Sequence, residues 1–170
     1  MSKIKSRNEL VSEIAYALQT HLDEGSFYLN LTDQDVGFSA PAALVGEDCV
    51  WPREGDEVIA IDPLESWESF KSMEHFANEQ PPKIADKLFR AMNGSRPFAR
   101  FRAAVDILDL LQEWYAFKNQ WYERKAEDWM HFHEVDFVDG KIVTKSNTVI
   151  WDGEDDEWGG EDDEWDDDDV

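Results

Sequence analysis

The last twenty residues of this chain form an acidic block that limits how much of it can fold. Residues 151–170 contain thirteen Asp or Glu and no Lys or Arg, and they carry −13 of the net charge of −23. The segment Gly153–Trp158 is repeated as Gly160–Trp165, and four Asp follow. Because so dense a run of like charges cannot pack against itself, we expect a solvated, disordered tail. The sequence therefore predicts one folded domain over residues 1–147 and an acidic tail over residues 148–170.

The tail also contains tryptophan, which purely solvating tails rarely do. Trp158 and Trp165 each follow four consecutive acidic residues. Aromatic side chains fill apolar pockets on a partner, and acidic side chains steer association with a basic surface. The residues predicted to bind a partner in this way are Trp158, Trp165, Asp166, Asp167, Asp168 and Asp169.

The overall charge restricts the class of partner. A chain with a net charge of −23 repels nucleic acid and anionic membranes, and it favours a basic partner or mimicry of a polyanion. The single cysteine, Cys49, excludes an internal disulfide and favours a reducing compartment. The N-terminus lacks the pattern of a signal peptide, and no apolar run approaches the length of a membrane span. We therefore expect a cytoplasmic protein.

Hydrophobic spacing and turn signals predict the fold class. A capping box, Ser6 with Glu9 three residues later, begins a helix predicted over residues 7–23. Helical spacing recurs between residues 63 and 132, with the longest helix predicted from about residue 109. Alternating segments predict strands near residues 27–31, 36–38, 57–61, 135–138 and 141–144. Since the strands are not interleaved with the helices, this order predicts an α+β fold: an antiparallel sheet of short strands packed with four or five helices.

One stretch of the chain is basic. No acid lies between Asp86 and Asp106, and an Asn-Gly-Ser segment there precedes a predicted helix, whose N-terminus would present free N–H groups. This basic island favours an anion site for phosphate, nucleic-acid backbone or carboxylates, although a solvated face paired with acids such as Glu113 or Asp128 explains it as well. The residues predicted to bind an anion are Lys87, Arg90, Arg96, Arg100 and Arg102.

The same part of the chain resembles an uncharacterised bacterial protein family. Gly94–Arg102 fits the segment G-x-x-x-F-x-x-F-[KR] of that family, and Glu113–Phe117 fits its E-W-Y-x-F helix. Trp129-Met130 fits its closing W-[LM], and Leu88–Met92 fits an L-x-x-A-[LM] helix end. The resemblance covers about residues 55–132. It implies a small soluble protein with no established activity and no known cofactor.

The aromatic residues of these segments have two interpretations. Interleaved aromatic and basic residues are typical of single-stranded nucleic-acid sites. Aromatic residues at helical spacing more often face a core, which the net charge also favours here. The residues predicted to lie in the core are Phe98, Phe101, Trp114, Phe117 and Trp129.

No catalytic or metal-binding pattern stands out. His131 and His133 could present two imidazoles on one face, but a metal site needs further ligands at a suitable spacing. The chain has no glycine-rich phosphate loop, no G-x-S-x-G and no H-E-x-x-H. We therefore expect no enzyme, no metal and no cofactor.

Two functional hypotheses follow. The first is a non-enzymatic interaction protein whose tail binds a basic protein surface, as a mimic of the nucleic acid that such a partner holds. The alternative is binding of nucleic acid or a phosphate ligand through the basic island, which the tail would mask if it folded back. The oligomeric state stays open.

Overall fold

The computed structural model describes residues 4–39, 46 and 50–151, which form five α-helices and six β-strands. The helices are α1 (Arg7–Gln19), α2 (Ser66–Asn78), α3 (Pro82–Met92), α4 (Pro97–Ile107) and α5 (Leu111–Phe132). The strands are β1 (Ser26–Asn30), β2 (Asp35–Ser39), β3 (Glu57–Ile61), β4 (Val135–Val138), β5 (Lys141–Thr144) and β6 (Val149–Ile150). All strand pairs are antiparallel, so the predicted α+β class is confirmed. The predicted disorder of the tail falls on residues 152–170, outside the described residues, as does Cys49.

Helix α1 begins where its capping box predicts and ends earlier than predicted. The Ser6 hydroxyl accepts a hydrogen bond from the Glu9 N–H at 3.1 Å, and the Glu9 carboxylate accepts one from the Lys5 N–H at 2.6 Å. At the other end the Thr20 hydroxyl donates to the Tyr16 carbonyl at 2.7 Å, and the Thr20 backbone is extended. The helix therefore stops at Gln19, because Thr20 leaves helical geometry while its side chain satisfies one of the last free carbonyls.

The main sheet has the strand order β2-β1-β3-β6, and α1 covers one of its faces. In the register of β1, Phe27 lies opposite Phe38 and Ile61, and Leu29 lies opposite Val36 and Ile59. Directly opposite residues point to the same face of a sheet. Most of these side chains pack with the buried face of α1 in the sheet core, a cluster that includes Leu10, Ile14, Leu18, Phe27, Leu29, Ile59, Ile61, Tyr122, Ala126 and Met130.

A buried polar network fixes the segment before β3. The fully buried Asn30 donates its side-chain N–H to the Asp56 carboxylate at 2.7 Å and accepts the Asp33 N–H at 2.8 Å. The same Asp56 oxygen accepts the Arg53 N–H at 2.9 Å, and the Trp51 indole donates to Asp33 at 3.0 Å. Buried polar groups are costly unless they are paired, so these bonds specify how the loop returns to the sheet.

The folded domain extends past the boundary that the sequence predicts at residue 147. Strand β6 pairs with β3, with Val149 opposite Val58 and Ile150 opposite Glu57. Trp151 continues the pairing: its N–H donates to the Asp56 carbonyl, and its carbonyl accepts the Gly55 N–H, both at 2.8 Å. The sequence misses this strand because two β-branched residues next to an acidic block carry almost no periodicity.

The hairpin of β4 and β5 shares the sheet core and is also hydrogen-bonded to the turn between β1 and β2 through one side-chain amide. Gln34 donates to the Ile142 carbonyl at 3.0 Å and accepts the Ile142 N–H at 2.6 Å. Among the described residues the hairpin forms a two-stranded sheet of its own. The Gln34 amide bonds both backbone groups of Ile142, as a residue of a neighbouring strand would.

A second buried cluster, the helical core, lies among α2, α3, α4 and the first half of α5. Its buried members are Met73, Phe76, Ala77, Leu88, Met92, Phe101, Val105 and Trp114. The second half of α5 supplies Tyr122, Ala126 and Met130 to the sheet core. One 22-residue helix therefore belongs to both cores.

Candidate functional site

The structure divides the basic island among different contacts. All five of its side chains are exposed, on α3 and on α4 with its N-cap. Arg90 pairs with Asp86 at 3.1 Å, one turn away on α3, and it is the only island residue in an ion pair within the described parts of the chain. Arg100 donates to the Asn93 carbonyl at 3.0 Å and so closes the turn between α3 and α4. Neither Glu113 nor Asp128 forms the ion pair that the solvated-face explanation names.

Arg102 is the island residue that lines a cavity. The cavity has a volume of about 370 Å³ and lies between the C-terminal end of α1 and helices α2, α4 and α5. Arg102 also donates to the Tyr115 hydroxyl at 3.1 Å, and this contact links α4 to α5. A volume in this range suits a small ligand.

Lys118 of α5 brings a second cation to the same cavity. Burial, and after it the positive charge of Arg102, lowers the pKa of Lys118 from its ordinary value. No Asp or Glu lines the cavity among the residues that the structure describes, although the chain contains 39 of them. We call this site the basic cavity, and it holds two neighbouring cations without a carboxylate to balance them.

Hydroxyl groups form another side of the basic cavity. Tyr122 of α5 and Ser69 of α2 share a hydrogen bond of 2.9 Å between their oxygens, and Ser72 donates to the Ser69 carbonyl at 2.6 Å. Gln19 and His21, at the end of α1, also line the space. These side chains are neutral or weakly basic hydrogen-bonding groups, so they suit an anionic ligand that carries further polar atoms.

The remaining wall is aromatic. Trp114 and Phe101 are both buried, and their ring centroids lie 4.9 Å apart in an edge-to-face contact. Phe98 is 44% exposed at the same cavity. The prediction that these three residues lie in the core is therefore confirmed for Trp114 and Phe101 and wrong for Phe98, because that position of α4 faces the opening beside Phe70. Phe117 and Trp129 are partly buried against the helical and sheet cores respectively.

Lys118 is the site residue that the charge pattern of the sequence misses. It lies outside the acid-free stretch, sixteen positions beyond Arg102. Trp114, Lys118 and Tyr122 are spaced four apart on α5 and all line the cavity. Residues four apart share one face of a helix, so a search along helical faces would have found the lysine.

The other predicted site residues lie elsewhere. The predicted partner-binding residues of the tail fall outside the described ranges, so the geometry does not bear on them. The His133 ring lies against the Trp129 ring, with centroids 4.4 Å apart and planes tilted by 40°, and His131 is exposed. In the described part of the chain no three His, Cys, Asp or Glu converge as a metal site. No helix there is both long and apolar enough to cross a membrane.

Comparison with known proteins assigns the family. The model of an uncharacterised protein family, UPF0158, matches residues 7–150. The chain belongs to this family. A curated relative, UPF0158 protein PA5073 of Pseudomonas aeruginosa, is 30% identical over 129 residues, which cover 74% of this chain and 82% of the relative. No solved structure matches the chain. The match to the family ends at Ile150, the last residue of β6, so the family pattern includes the strand that closes the main sheet.

Proposed function

We propose that this protein binds a small anionic ligand in the basic cavity and does not convert it chemically. The observation that carries the proposal is the pair of cations, Arg102 and Lys118, at a cavity whose described lining contains no carboxylate. In a chain of net charge −23, two neighbouring cations without a carboxylate in the described lining are unexpected unless an anionic ligand binds beside them.

The electrostatics favour an occupied site. Burial and the charge of Arg102 both disfavour the protonated form of Lys118, and they lower its pKa. A bound carboxylate or phosphate would reverse the second effect, because an opposite charge nearby stabilises the ammonium. Binding should therefore take up protons as the pH approaches the lowered pKa of Lys118, and affinity should fall as the pH rises through it.

The aromatic wall restricts the ligand further. Trp114 and Phe98 present ring surface beside the two cations, so the best ligand joins an anionic group to a flat apolar group. A nucleic-acid backbone fits less well, because Arg90 and Arg100 are engaged with Asp86 and Asn93 instead of being aligned with Arg102.

Calorimetric titration of the full chain with indole acetate and with pyrophosphate tests the proposal. Arg102→Met and Lys118→Met should each weaken binding by about tenfold to a hundredfold, since a hydrogen bond to a charged group contributes about 1.5–3 kcal/mol. Lys87→Met removes the same charge from α3, away from the cavity lining, and serves as the control. Lys118→Arg should keep binding at a pH where the wild-type chain has lost it.

Acidic residues 152–170 of the same chain could compete with the probe. The titration is therefore repeated on a full chain in which their carboxylates are replaced by amides. The proposal is wrong if neither chain binds a probe, or if Lys87→Met weakens binding as much as Lys118→Met does.

A second proposal, of a different class, keeps the tail as an interaction segment in a cytoplasmic protein. Trp158, Trp165 and the four Asp from 166 to 169 would then bind a basic protein surface as a polyanion mimic. The specific support is the segment that precedes the tail: Val149 and Ile150 of the edge strand β6 are 66% and 56% exposed, and they adjoin the acidic residues. Capture experiments that compare the wild-type chain with the amide variant test this proposal, which fails if the same partners are retained.

A further inference from the structure

We propose that the second acidic-aromatic repeat of the chain, Glu161–Trp165, docks into the basic cavity of its own molecule and competes there with the anionic ligand. This inference rests on the proposed function of the cavity, because it names what occupies that site in the free chain. It assigns one occupant, a segment outside the described residues, to one described site.

The chemistry of the repeat matches the chemistry of the cavity. Four consecutive carboxylates precede Trp165, and the cavity presents two cations that lack a carboxylate partner in the described residues. The indole of Trp165 would lie against the aromatic wall, where Phe98 leaves 44% of its surface exposed. Carboxylate and indole adjoin in the sequence, as the cations and the aromatic wall adjoin in the cavity.

The chain is long enough to make this contact. Trp151 is hydrogen-bonded to Asp56, and Ser66, ten residues after Asp56, lines the cavity. An extended chain spans at most about 3.6 Å per residue, so the two points are no more than about 36 Å apart. Trp165 is fourteen residues beyond Trp151 and can reach about 50 Å on the same rule, which leaves about 14 Å for a path over the surface. Trp158, seven residues beyond Trp151, reaches about 25 Å, which is half the range of Trp165.

The source of the repeat is taken to be the same molecule. A tethered segment whose length matches the distance it must span has an effective concentration in the millimolar range. A repeat from a second molecule is present only at the total protein concentration, which is far lower in dilute solution. Docking within one molecule should therefore leave the protein monomeric, and the affinity for the probe should not depend on the protein concentration.

The test uses the full chain throughout. Indole acetate should bind Trp165→Ala about tenfold more tightly than it binds the wild-type chain, as expected if a millimolar effective concentration competes against an intrinsic dissociation constant on the order of 0.1 mM. Replacing Glu161, Asp162, Asp163 and Glu164 by their amides should give a similar gain. Trp158→Ala, in the other copy of the repeat, should bind the probe as the wild-type chain does.

A peptide of residues 160–170 completes the experiment. Added to Trp165→Ala, it should restore the weak binding of the probe, and it should fail to bind when Lys118→Met is also present. Added salt should weaken binding of the peptide more than it weakens binding of a neutral indole, because salt screens the attraction between charges.

The outcomes separate this inference from the proposed function. If indole acetate binds Trp165→Ala and the wild-type chain equally, and this binding depends on Lys118, the docking is wrong and the proposed function stands. A gain in Trp158→Ala alone contradicts the assignment to the second repeat. A gain that disappears on dilution, with dimers seen by sedimentation, contradicts docking within one molecule. If neither probe nor peptide binds any chain, both the docking and the proposed function are wrong.

Discussion

Replacing Trp114 by alanine should destabilise the fold severely, because the ring stands where the helical core meets the basic cavity. Its side chain is 7% exposed. Its ring centroid lies 4.9 Å from that of Phe101, 5.2 Å from that of Phe76 and 6.2 Å from that of Phe117. The substitution removes all three aromatic contacts at once and leaves a hole on one side of the core.

The magnitude follows from burial. Removal of a buried Trp or Phe side chain costs about 3–5 kcal/mol, of which the residual cavity is a part. Trp114 already borders a cavity of about 370 Å³, so part of its ring makes no packing contact that the substitution could remove. We therefore expect about 3–4 kcal/mol, which corresponds to a fall in melting temperature of about 6–16 °C for a domain of this size.

Urea denaturation followed by circular dichroism measures this loss, with Tyr115→Ala as the matched control. Tyr115 is the next residue on α5 and is 40% exposed, so its substitution should cost less than about 1 kcal/mol apart from its bond to Arg102. Trp114→Phe should lie between the two, because the smaller ring keeps part of the contact with Phe101. The reasoning fails if Trp114→Ala and Tyr115→Ala unfold at the same urea concentration.

Three further predictions concern the sheet and its surroundings. A chain ending at residue 147 should be about 1–3 kcal/mol less stable in thermal unfolding than a chain ending at residue 151, because the two backbone bonds of Trp151 contribute about 0.5–1.5 kcal/mol each. Asn30→Leu should cost about 1.5–3 kcal/mol in urea, since Asp56 loses a buried donor, and an unchanged midpoint would contradict the network. Burial, and after it the charge of Asp35, raises the pKa of Glu13, so stability is lost as the pH rises through that pKa. Glu13→Gln should therefore raise the melting temperature slightly at neutral pH and leave it unchanged at acid pH, because solvent screens most of the effect at this exposed position.

Local signals in the sequence predict the elements that local interactions form. The capping box at Ser6 fixes the start of α1, and the aromatic spacing places Phe101 and Trp114 in a core. The end of α1 differs from the prediction because the competing hydrogen bond of Thr20 to Tyr16 is invisible to hydrophobic periodicity.

Most of the structural features that the sequence does not predict depend on contacts between residues far apart in the chain. Gln34 and Ile142 are 108 positions apart, and no local pattern marks a glutamine that bonds both backbone groups of a distant strand residue. The basic cavity shows the same limit. Counting charges along the chain groups Arg102 with four other island residues, whereas the fold places it beside Lys118 of another helix at one cavity.

Helix α5 makes the two halves of the molecule thermodynamically inseparable. Its 22 residues span about 33 Å, and Trp114 in the helical core lies about 24 Å along the helix from Met130 in the sheet core. Tyr122, near the middle, is buried in the sheet core and also lines the basic cavity. Neither core can unfold without disrupting a helix that the other core requires. The two cores should therefore unfold in one cooperative transition and not in two. An occupant of the cavity would then slow amide exchange in strands that it never touches.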